Sequence, residues 1–175
     1  MRAVHFIAAA AMAAAQCAFA GVGFSMMGLS YVQRGVLEIG GSQTPVTVFV
    51  KSGGGEAAMQ MESPVGTLCR IRTGVAGREI ASGSAAFRDS WAREHALRAL
   101  EAAMAMPGFL AGEDGVKISF SPAGGGFFRA HTPSGFRFEM SDFSVETPDG
   151  RLAPRLMEVS GPGYGARLKL VKILK

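Results

Sequence analysis

Apolar residues alternate with polar ones over short runs along most of this chain, a period of two that marks half-buried strands. Alternation and β-branched content predict strands at 29–39, 45–51, 57–62 and 67–72, and after residue 115 at 116–120, 127–131, 136–146, 155–159 and 166–174. Phe136, Phe138 and Met140 keep one phase, whereas Phe143 and Val145 fall in the other, so a bulge or corner is expected near Ser141 and Asp142. In the run at 67–72, strict alternation points Cys69 and Ile71 to the core and Leu68, Arg70 and Arg72 away from it. The stretch 73–83 reads as a loop.

Only one segment beyond the N-terminus has the longer period of a helix. Ser84 is a suitable N-cap and Pro107-Gly108 a stop, and between them Ala92, Ala96, Leu97, Ala99, Leu100, Ala103 and Met104 share an arc opposite Glu94, Arg98 and Glu101. Strands, then one long helix, then strands predict an α+β fold: an antiparallel sheet of about seven to nine strands packed on a long central helix. A β-sandwich or a partly open barrel with one helix is the alternative. No crossover helices recur, which excludes a doubly wound parallel sheet.

The first twenty residues, MRAVHFIAAAAMAAAQCAFA, carry a basic start, an apolar run and Ala18-Phe19-Ala20, the layout of a cleavable secretory signal. Residues 21–175 are then a single exported domain, periplasmic or extracellular. Retention of the apolar run 3–29 as a membrane anchor is the alternative. With Cys17 removed, Cys69 has no partner for an intramolecular disulfide, and packing must hold the fold. Hydrophobic residues make up 48% of the chain and charged ones 18%, which excludes intrinsic disorder. The chain has no asparagine, so N-glycosylation is excluded.

The formal net charge is +4, and its distribution matters more than its size. Six basic residues, Arg151, Arg155, Arg167, Lys169, Lys172 and Lys175, face only Glu158 in the last 25 positions. The closing run ARLKLVKILK mixes cations with apolar residues. It reads either as an edge strand guarded against aggregation by Lys and Arg or as a surface for an anionic partner, with Arg167, Lys169, Lys172 and Lys175 as the binding residues.

Catalytic and cofactor motifs are missing: no Walker A loop, CxxC, HExxH, EF-hand loop or G-x-S-x-G is present, so no catalytic residue and no cofactor is assigned. Gly161, Gly163 and Ala166 form a nominal G-x-G-x-x-A, but too few residues follow for a helix and next strand, and it reads as a turn. Met59-Gln60-Met61 and Met104-Ala105-Met106 resemble the Met-x-Met elements of exported copper-handling proteins, which implies a soft-metal site at Met59, Met61, Met104 and Met106; core filling explains the same residues. A small hydrolase assembled around His95, or around His131 with Glu139 or Asp142, is a further alternative.

The sequence thus predicts a non-enzymatic binding or assembly module of a bacterial envelope. It would act through a strand edge or the basic C-terminal surface on an envelope protein or anionic envelope surface, with self-association through strand edges possible. Nucleic acid is excluded as a partner because no aromatic-basic platform is present.

Overall fold

A computed structural model describes residues 26, 28–54, 56–74, 77–82, 117–121 and 125–174. Ten strands follow one another: β1 (Ser30–Ile39), β2 (Ser42–Gly53), β3 (Glu56–Ser63), β4 (Gly66–Gly74), β5 (Gly77–Ser82), β6 (Lys117–Ser121), β7 (Phe127–His131), β8 (Arg137–Glu146), β9 (Leu152–Gly161) and β10 (Tyr164–Leu174). They form one antiparallel sheet in the order β5-β4-β3-β2-β1-β10-β9-β8-β7-β6. Each half of the chain is therefore an up-and-down meander, and the two halves are zipped together where β1 meets β10.

This corrects the expected fold class. The described residues are all-β and contain no helix, so the architecture they form is an antiparallel sheet rather than an α+β layer pair. The segment 84–107, expected as the central helix, lies outside the described residues, as does the leader at 1–20. What the described residues share is the period-two burial of paired strands. Cys69, Met61, Val48, Gln33 and Leu170 stand opposite one another on β4, β3, β2, β1 and β10, and all five are buried. Leu168, Met157, Met140 and Phe128 continue a second line across β10, β9, β8 and β7. These inner side chains form one cluster from both halves of the sheet.

Buried residues from both halves of the sheet thus share one hydrophobic cluster, and each large side chain so buried contributes about 2 kcal/mol. Polar side chains are buried on this inner face as well: Gln33, whose Nε2 donates a long bond to Met157 Sδ at 3.9 Å, and Ser52, whose hydroxyl donates to the Leu29 carbonyl at 2.8 Å.

Local chemistry fixes the turns. Gly40 and Gly41 join β1 to β2 in a two-residue hairpin, and both take the left-handed conformation that a tight turn of this hand requires. Pro162-Gly163 turns β9 into β10, so the G-x-G-x-x-A run is a hairpin tip. In β8 the inward phase changes between Met140 and Phe143 around Asp142, the one described non-glycine residue with a positive φ, at 56°, and the register with β9 shifts just beyond, between Phe143 and Val145. Residues 77–82, read as loop from their glycine and adjacent charges, are strand β5, paired with β4. Leu68, expected to face away from the core, is buried because the register slips between β3 and β4 beside it.

Candidate functional site

The outer face of β2, β1 and β10 combines exposed apolar side chains with cations that have no carboxylate partner among the described residues. Register sets the rows: Phe49, Val32 (itself buried) and Lys172 on one; Thr47, Arg34, Lys169 and the β9 residue Leu156 on the next; Pro45, Val36, Arg167 and the β9 residue Glu158 on the third. Lys51 is exposed at the end of β2 beyond Phe49.

A bulge makes this face more basic than alternation alone allows. Leu168 and Leu170 point inward, and unbroken alternation would send Lys172 in with them. The register instead passes from Gln33 opposite Leu170 to Val32 opposite Lys172, leaving Val171 as the extra residue. Lys172 is thereby delivered to the outer face and Val171 itself is half-exposed.

Five large hydrophobic side chains are exposed among the described residues: Val36, Phe49, Val65, Val171 and Leu174. Four of them lie on β1, β2 and β10, and only Val65 lies elsewhere, in the β3–β4 turn. The charges are equally uneven. Arg167 Nε is 2.7 Å from Glu158 Oε1, and away from this face Arg129 binds Glu139 at 2.5 Å, Arg151 binds Asp149 at 2.8 Å and Arg155 binds Asp142 at 3.3 Å. Among the described residues, Arg34, Lys169 and Lys172 have no such partner.

Between β1, β10 and β9 the face sinks into an open groove of about 670 Å³. Arg34, Val36 and Glu38 line it from β1, Arg167 and Lys169 from β10, and Leu156 and Glu158 from β9. Gly165, set opposite both Glu38 and Ser160, contributes no side chain to fill it.

The structure thus places Arg167, Lys169 and Lys172 on one face, while Lys175 lies outside the described residues. It also refines the edge-strand reading of the C-terminus: β10 pairs with β1 along its whole length and with β9 over Tyr164–Lys169, while the described sheet ends at β5 and β6. Lys169 therefore guards no edge, whereas Lys172 lies where β10 pairs with β1 alone. Arg34, Val36, Phe49 and Lys51 were missed as site residues, since they lie more than 110 positions from β10 in sequence and only the β1–β10 pairing unites them. Outward alternation of Arg34 and Val36 was the one available signal.

The remaining candidates sit elsewhere. Met59 and Met61 are buried on the inner face of β3, opposite Ile71 and Cys69, while Met104 and Met106 are outside the described residues. No cluster of three His, Cys, Asp or Glu groups placed to hold a metal occurs among the described residues. Cys69 is fully buried, and burial pushes its thiol up to about 12, against a lesser opposing effect of its bond with the Met61 backbone. His131 is exposed on β7 and stands in register with Arg137 and Lys117; Glu139 and Asp142 are engaged by Arg129 and Arg155. His95 lies outside the described residues. No protein-family model matches the chain, and no curated protein matches it in sequence.

Proposed function

We propose that the chain is an exported, non-enzymatic envelope protein that docks on an anionic lipid surface through the outer face of β2, β1 and β10. The observation that carries this reading is the coincidence on three adjacent strands of four of the five large hydrophobics exposed among the described residues with three cations that have no partner among those residues. A surface of this composition matches an interface in which phosphates meet cations and apolar side chains enter the headgroup boundary. Each Lys or Arg near such a surface contributes about 1 kcal/mol, and insertion of Val36, Phe49 and Val171 adds the hydrophobic term. The secretory layout of the leader takes the protein to such a surface. Strand addition at an edge is the less favoured route, because Arg34 and Lys169 lie where β1 and β10 are paired on both sides.

Vesicle co-sedimentation tests the proposal. The mature protein is expected to pellet with phosphatidylcholine vesicles containing phosphatidylglycerol, to stay in solution with phosphatidylcholine alone, and to be released by about 0.5 M salt, where screening shortens to a few ångströms. Lys169→Gln with Lys172→Gln is expected to weaken retention by about tenfold or more. Equal retention on both vesicle types, or none on either, would sink the proposal.

A further inference from the structure

We infer that the groove between β1 and β10 seats the phosphate of one anionic phospholipid between Arg34 and Lys169. This rests on the docking reading above and adds to it a defined headgroup site.

Arg34 and Lys169 stand directly opposite each other in the β1–β10 register. Like charges in that position repel and cost a sheet stability, so such a pair is expected to be separated or neutralised. Here it is neither. The row continues to Thr47 on one side and Leu156 on the other, so no carboxylate is interposed. Of the two carboxylates that rim the groove, Glu158 holds Arg167 at 2.7 Å, and Glu38 accepts a hydrogen bond from Gln43 Nε2 at 3.4 Å and forms no ion pair with Arg34 or Lys169. Among the described residues two adjacent cations are thus left facing open volume, and a bound anion would reduce their repulsion.

The groove's shape and lining select the kind of anion. The guanidinium offers paired donors to phosphate oxygens and the ammonium a compact charge, a combination suited to a phosphodiester. Val36 and Leu156 give the same groove apolar walls, which a free inorganic ion would not use but the glycerol and upper acyl chain of a lipid would. Exposed Phe49 and Val171 continue that apolar surface along the face. A lipid headgroup therefore matches both halves of the lining.

Titration with dihexanoyl-phosphatidylglycerol below its micelle concentration separates a seated headgroup from diffuse attraction. Saturable one-to-one binding is expected for the wild type, with chemical-shift changes at the amides of β1 and β10. Arg34→Gln with Lys169→Gln should weaken it at least about tenfold, whereas Lys51→Gln with Lys172→Gln, which removes the same charge from the same face, should leave it within about twofold. Lys169→Glu keeps the test sharp if the double variant does not fold: it sets opposite charges across the strands, favouring the fold, and should abolish binding. Equal loss in both double variants, undiminished binding to the Lys169→Glu variant, or inorganic phosphate binding as tightly as the lipid would overturn the headgroup site. A wild type that pellets with anionic vesicles but does not bind the short-chain lipid would overturn it too, with docking intact. A wild type that fails on vesicles removes docking itself.

Discussion

Gly35→Ala is expected to leave the protein unfolded at room temperature. An added Cβ at Gly35 would lie 1.8 Å from the Arg167 carbonyl oxygen and 2.9 Å from Leu168 Cα, and both are backbone atoms that no side-chain rotation can move. Nor can β1 shift away, since Gly35 is held between Leu168 on β10 and Val46 on β2. The collision falls on the seam that joins the two meanders, where local failure separates residues 30–82 from 117–174. Forced separation of backbones should cost more than about 3 kcal/mol, a large part of the roughly 5–15 kcal/mol that holds an ordinary domain. Gly165→Ala serves as the comparison, because the nearest atom there would be 3.8 Å away, an ordinary contact. Urea unfolding followed by circular dichroism should show the Gly165 variant within about 1 kcal/mol of wild type and no native baseline for the Gly35 variant. Similar midpoints for all three would mean that β1 and β10 do not approach so closely.

Alkaline pH is the second large perturbation. Burial holds the Cys69 thiol up near 12 and pushes the Tyr31 and Tyr164 hydroxyls above their ordinary value of 10.0. In the unfolded chain these groups lose their protons from about pH 9 to 10. The native state keeps them, so above that range it binds more protons than the unfolded state. The stability they support is present below about pH 9 and is lost as pH rises toward 12, by about 1.4 kcal/mol per pH unit for each group once its unfolded form has ionised. With all three engaged the slope reaches about 4 kcal/mol per pH unit, enough to unfold the domain within one or two units. Both tyrosines of the chain are among these groups, so tyrosinate absorbance should appear in one steep step coincident with loss of circular dichroism. Cys69→Ala should lower the slope by one proton. Two gradual tyrosine titrations with the fold intact would show that these hydroxyls are not sealed in the interior.

Alternation exposed most of the strands because a half-buried sheet imposes it residue by residue. It placed Cys69 inward and located the phase slip of β8 beside Asp142. Alternation does not disclose what packs on the inner face, so the strand–helix–strand order of the sequence predicts α+β, while the described residues form an antiparallel sheet with no helix. Strand β5 was hidden because Gly77 and the Arg78-Glu79 pair resemble a turn, while its pairing with β4 depends on partners outside the segment.

The outer face of β1, β2 and β10 was half legible for the same reason. Arg167, Lys169 and Lys172 are concentrated within one short run that composition detects. Their position on a central strand is a consequence of the β1–β10 pairing, and that long-range contact also brings in Arg34 and Val36. The outward direction of Lys172 depends on the bulge at Val171, a one-residue irregularity that periodicity cannot anticipate.

Depth-resolved quenching decides most directly whether this face meets the lipid. Single cysteines introduced at Val36, Val171 and Ser134 would carry a fluorophore, with Cys69 buried and unreactive under native conditions. Val36 and Val171 lie on β1 and β10, whereas Ser134 is exposed in the turn joining β7 and β8, the third and second strands from β10. On phosphatidylglycerol-containing vesicles with quencher-labelled acyl chains, the probes at 36 and 171 should be quenched and blue-shifted, and the probe at 134 should remain as it is in buffer. Quenching at 134 with none at 36 and 171 would show that the protein meets the membrane by another surface.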